Sequence, residues 1–294
     1  MVPPLASDDL AFYATSGPMT ALPSSSPLLD GLPTAAEALC QLSKELIVHE
    51  FMVAAYGVTG AEKRLEELEI RPASEIAEAI GRLDPEHRPL SQGRPPQQRL
   101  IGNCRQFSVL TCALLRRAGH PARARAGFSA YLDRGKWTDH WIVERWDAGQ
   151  ERWIQTDSQL DEEFRQEIGF EFDPLDLPGG EFITGSQAWQ RCRDGQDDPA
   201  LFGLDDLRGL WFVQGSVIRD LASINKVELL PWDVWGAMAA PAGEIDAELT
   251  ALTDDVARVV VSGKLDEQQE RYSHDGLRVP KEVFSARFQR TVEL

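Results

Sequence analysis

Between Cys104 and Asp157 the apolar pattern changes period once, and that change dictates the architecture. Residues 104–118 carry apolar side chains at helical spacing and follow the helix-starting pair Gly102-Asn103. Residues 122–131, 139–146 and 152–157 alternate instead, as strands with one face on a core do. A helix followed by three consecutive strands predicts an antiparallel sheet packed on that helix, an α+β fold. With 294 residues and 43% hydrophobic content, the chain can bury such a core together with helical additions.

The links refine this reading. "DAGQ" at 147–150 reads as a tight hairpin loop between the last two strands. That loop places Trp146 opposite Glu151, Val143 opposite Ile154 and His140 opposite Asp157. Directly opposed Cβ atoms are about 4.5–5.5 Å apart, and a one-residue slip would send the pair to opposite faces.

Four segments are expected along the chain. Residues 1–34, rich in Pro and Ser, read as a surface or partly disordered arm. Residues 35–100 form an N-terminal helical segment: one helix from about Thr34 to Tyr56, then 61–68 and 73–83, ending in the irregular "HRPLSQGRPPQQR". Residues 101–180 hold the core. Residues 181–294 read as a mostly helical extension, with helices in "LRGLWFVQGSVIRDLASINKV" and from Glu244 to about Gly263, and a charged peripheral tail.

A net charge of -17 disfavours nucleic acid as a partner, because neutralising phosphates requires a basic face. The sequence has no apolar run of the length a membrane helix needs and no secretory apolar region near Met1. The four cysteines form no CxxC pair, so the expected setting is a reducing cytoplasm with no disulfides.

Cys104 is the residue with chemistry. At a helix start, unpaired N–H groups and the positive end of the macrodipole favour the thiolate, the nucleophilic form. His140 in "TDHWIVERW" and Asp157 in "ERWIQTDSQ" supply a base and a group to orient it. Such a set supports acyl transfer through a thioester.

These residues carry a resemblance. "GNCRQFSVLTCALLRRAGHPARARAGF", "DHWIVERWD" and "RWIQTDSQ" resemble, in order, the motifs of the transglutaminase-like superfamily. The resemblance covers about residues 101 to 160 and implies a papain-like core, with Cys104 as nucleophile, His140 as base and Asp157 as orienter. It implies action on an amide or peptide bond, as amidase, peptidase or amide-forming transferase, on a peptide, protein or small-molecule amide. One position departs: His120 stands where the family's turn has an aliphatic residue. The helical flanks lie outside the shared core and are expected to choose the substrate.

For the oxyanion, the Cys104 N–H is the natural donor, and Gln98, six residues upstream, is the candidate second donor. Its plainer reading is a solvated loop amide. Arg105 could meet a substrate carboxylate, although the arginines at 105, 116, 117, 123 and 125 more often pair with the chain's own acids. Trp141 could shield the ion pair from water. Cys40, Cys112 and Cys192 read as structural or incidental, and His49, His87, His120 and His274 as bland. No metal or cofactor is expected, since no cluster has ligand spacing. One rival reading is a non-catalytic binding module, which would be expected to have lost a member of the Cys104, His140 and Asp157 set; another is a scaffold whose C-terminal helices bind a protein partner, which predicts an exposed apolar patch around Trp232 and Trp235.

Overall fold

The computed structural model describes residues 7–294. In chain order the main elements are α1 (Ser7–Tyr13), α2 (Ala36–Cys40), α3 (Leu42–Leu46), β1 (Ile47–His49), α4 (Ala73–Leu83), β2 (Leu100–Gly102), α5 (Cys104–Arg117), β3 (Ala122–Ser129), β4 (Trp137–Asp147), β5 (Arg152–Thr156) and α6 (Glu162–Ile168). They continue with β6 (Phe182–Thr184), α7 (Gly185–Arg193), β7 (Phe202–Leu204), β8 (Leu207–Arg208), α8 (Leu210–Ile224), β9 (Asp233–Val234), α9 (Ala247–Ser262), α10 (Leu265–Tyr272), β10 (Glu282–Ser285) and β11 (Arg290–Glu293). Helices and strands that pair antiparallel except for the parallel β1–β2 and β4–β7 pairs make this an α+β protein, not one with a purely antiparallel sheet. Its described residues divide into two compact units, one of 7–124 and 142–178, the other of 125–141 and 179–294, so the division falls inside β3 and β4.

In the first unit, α5 is the central helix, with every residue from Cys104 to Arg116 buried. Asn103 caps it by accepting from the N–H groups of Arg105 and Gln106, while Gln106 accepts from the Asn103 N–H, a complete capping box. The helix anchors its neighbours through polar ties as well as apolar packing. Ser43 and Thr111 share a hydroxyl hydrogen bond of 2.6 Å, and the Arg116 guanidinium donates to Ala122 O and Thr20 Oγ1.

The expected surface arm, as far as it is described, lies largely at the surface but is anchored at several points. Tyr13, Met19, Thr20 and Leu29 are buried, and the Met19 and Leu28 carbonyls accept from Ala73 and Leu90. Local composition gave no periodic signal here, because the burial is made by partners distant in sequence. The part of that arm before residue 7 lies outside the described residues.

The single helix expected to reach Tyr56 is also corrected. It breaks into α2 and α3, and the chain then extends as β1, pairing in parallel with β2. Ile47 and Val48 are β-branched and each 1% exposed, so a buried strand suits them better than a further helical turn. Residues 61–68 form 3-10 turns rather than an α-helix, whereas α4 occupies 73–83 as expected.

The hairpin of β4 and β5 is shifted by two residues from the expected register. Trp146 faces Trp153, Asp147 faces Arg152, and the last pair is Val143 with Thr156. The cause lies in the turn: the Asp147 carboxylate accepts from the N–H groups of Gly149 and Gln150, and Glu151 takes the left-handed conformation. Asp147 therefore stays in the strand, and the opposed indoles pack edge to face at 5.6 Å.

In the second unit the strands run in the order β6-β3-β4-β7-β8. Gly127 permits the pairing of β3 with β6, since a Cβ there would lie 2.1 Å from Ile183 O. Helices α7, α8 and α9 pack together, with the buried Trp189 indole donating to Asp254 at 2.7 Å. The extension is thus less helical than expected, and it closes with a small sheet, β11-β10-β9. Trp235, 4% exposed, donates to Leu277 O, and Trp232 is half-buried against Phe288. The exposed patch required by the scaffold reading is not formed by these two tryptophans.

Candidate functional site

Each expected site residue is placed by a different local device. In the first unit, Cys104 is the first residue of α5 and is 7% exposed. The strand leading to it is held close: Gly102 faces His49 across the β1–β2 pair, and a Cβ at Gly102 would lie 2.7 Å from the Ile47 side chain. The capping box uses the N–H groups of Asn103, Arg105 and Gln106, so its side chains leave the Cys104 amide out of the box.

Asp157, also in the first unit and 2% exposed, follows directly on β5. Its N–H donates to Pro174 O, and its Oδ1 accepts from the Gln159 N–H at 3.1 Å. This turn fixes the carboxyl relative to its own backbone. Gln98 ends a 3-10 turn, and its Oε1 accepts from Arg88 at 2.7 Å.

Arg105 is a correction. It is 0% exposed, and its guanidinium donates to the carbonyls of Arg71 at 2.6 Å and Ile70 at 3.4 Å. It ties α5 to the segment before α4, and nothing about it awaits a substrate carboxylate.

In the second unit, His140 and Trp141 are each 1% exposed on β4. The His140 imidazole meets the Tyr131 ring edge to face, with centroids 5.9 Å apart. Among the described residues the buried Trp141 indole N–H has no hydrogen-bond partner. The β4–β5 ladder ends at Val143 and Thr156, so the direct opposition expected for His140 and Asp157 is not formed.

Two features escaped the sequence. Asp139 is buried beside His140; desolvation pushes its carboxyl up to about 6, against the pull of the charges on Arg219 and His140. His49 ends the strand hidden inside an apparent helical run, so its place opposite Gly102 had no periodic signal.

The other thiols stand in apolar or acidic surroundings. All four cysteines are free. Burial pushes Cys40 and Cys192 up to about 12 each, which keeps them as thiols. Cys112 lies inside α5 with 0% exposure. Among the described residues, no three His, Cys, Asp or Glu side chains are grouped to hold a metal ion, and no helix is long and apolar enough to cross a membrane.

Comparison with known proteins bears on this constellation. The transglutaminase-like superfamily pattern matches residues 56–158, a stretch that includes Cys104, His140 and Asp157. Among solved structures, a "putative cysteine protease" from Cytophaga hutchinsonii is 16% identical, with 53% of this chain and 43% of that chain covered at a TM-score of 0.23. The match therefore spans less than half of that protein's length. No curated protein matches the chain. Over residues 56–158 the protein is thus similar to the transglutaminase-like superfamily.

Proposed function

We propose that the protein is a thiol-dependent acyl-transfer enzyme in which Cys104 attacks an amide or peptide carbonyl, His140 moves the protons and Asp157 orients His140. The observation that carries the proposal is Cys104 itself, the first residue of a long, fully capped helix inside the matched domain. There the helix dipole favours the thiolate.

The steps balance as follows. The Cys104 thiol gives its proton to the His140 imidazole as its sulfur adds to the carbonyl carbon, and as the C–N bond breaks the leaving nitrogen takes that proton from the imidazolium. Water then gives a proton to the imidazole as its oxygen attacks the thioester, releasing the carboxylic acid and the free thiol. An amine in place of water would give a new amide by the same route. The Cys104 N–H is the proposed first oxyanion donor. Gln98 is the proposed second, because with Oε1 engaged by Arg88 its Nε2 is the atom left to donate.

Trapping of the acyl-enzyme tests the proposal. After incubation with a mixture of peptide amides and an acid quench, intact-mass analysis should show an adduct that maps to Cys104 and is absent in Cys104→Ala. An adduct that persists in Cys104→Ala, or none across a broad amide panel, would contradict it.

A further inference from the structure

We infer that Phe51 and the aromatic cluster behind it form the subsite that receives an apolar side chain of the acyl donor, a specificity that rests on the reading of Cys104 as nucleophile. Phe51 is 63% exposed, the most exposed large apolar side chain among the described residues. Exposed apolar groups are common singly, so the exposure alone decides nothing.

Its support and position decide more. Its N–H donates to Nδ1 of His49 at 3.2 Å, and the two rings pack at 5.3 Å. The His49 imidazole in turn stacks on Phe107 and meets the edge of Phe164, at 6.4 and 6.1 Å. His49, Phe107 and Phe164 are all buried, so Phe51 stands on a firm aromatic floor.

That floor adjoins the nucleophile through the backbone. His49 lies opposite Gly102, two residues before Cys104, and Phe107 lies one turn after Cys104 on the same face of α5. An acyl group bonded to Cys104 thus starts one helical turn from Phe107 and beside the strand whose next residues lead from His49 to the exposed Phe51. The elements carrying the cluster also bear Glu50 and Glu163, while Glu162 is paired with Arg165 at 3.5 Å, and the remaining negative charge disfavours an acidic donor. The occupant is therefore a neutral or basic donor with an aromatic or large aliphatic side chain next to the scissile carbonyl.

Haloacetamides of graded polarity read this out on the full chain. Rates at Cys104 are compared for N-benzyl iodoacetamide, iodoacetamide and iodoacetylglycine, each divided by its rate with a free thiol. The benzyl reagent should lead iodoacetamide by about tenfold, and the anionic one should trail. Phe51→Ala should reduce the lead to about threefold or less, Phe51→Leu should retain most of it, and Leu207→Ala, at an exposed leucine of the other unit, should leave it intact. Cys104 that is fast with iodoacetamide but shows no benzyl lead, or a lead insensitive to Phe51→Ala, would overturn the subsite alone. Cys104 no faster than Cys112 with any reagent would overturn the nucleophile reading, and the subsite with it.

Discussion

The guanidinium of Arg125 on β3 grips the carboxylate of Asp220 on α8 through two parallel hydrogen bonds, of 2.8 and 2.7 Å. Asp220 also accepts from the Ala126 N–H at 3.2 Å, so one carboxylate fixes both a strand backbone and its side chain against the helix. The Asp220 side chain is 0% exposed and that of Arg125 7%. Asp220→Ala should therefore remove both charge-assisted hydrogen bonds from a buried guanidinium and lower stability by about 3–5 kcal/mol. Urea denaturation checks this; a loss under about 1 kcal/mol would mean that water readily replaces the carboxylate.

Asn103 holds the first turn of the helix that Cys104 begins. Asn103→Ala removes the acceptor for two N–H groups and should cost about 1 kcal/mol, while Asn103→Asp should retain the cap. Thermal unfolding measures the first effect. If the cap also positions the sulfur, the alanine variant should alkylate more slowly at Cys104 even at temperatures where it stays folded, and an unchanged rate would separate the cap from the chemistry.

Asp139 gives a pH signature. Burial raises its carboxyl from 3.8 to about 6, so the native chain holds this proton more tightly than the unfolded one does. The contribution is complete below about pH 4 and is lost as pH rises through about 6. Asp139→Asn, which cannot ionise, should therefore gain on the parent chain between about pH 4 and about pH 8, by about 3 kcal/mol from a shift of about two units. Urea melts of both proteins at the two pH values decide it, and a constant difference would show that the carboxyl titrates normally.

The elements with the clearest local signal were legible in the sequence: α5 with its Asn103 cap, the three strands after it, α4 and α8 all stand within a few residues of their expected places. What was hidden depends on distant partners. Ile47 and Val48 look helical until Leu100–Gly102 provides an edge to pair with, and Tyr13 and Thr20 look like a loose arm until Arg116 and α4 bury that stretch. The hairpin register turned on one carboxylate, because Asp147 caps the turn from inside the strand. For the proposed site, the types and order of Cys104, His140 and Asp157 are legible in the sequence. The buried ties of Arg105 and the placing of His49 beside Gly102 are not.

The central claim is most directly measured by the pH dependence of Cys104 alkylation. Reaction with iodoacetamide from about pH 5 to about pH 9, with peptide mapping of each thiol, gives four rate profiles on one sample. Cys104 should already be fast near pH 6, where an ordinary thiol reacts slowly. Cys40 and Cys192, pushed up to about 12, should stay slow throughout. His140→Ala should slow Cys104 about tenfold near pH 6 and move its profile toward an ordinary thiol near 8.5. A Cys104 profile that rises only with that of an ordinary thiol and ignores His140→Ala would contradict the account.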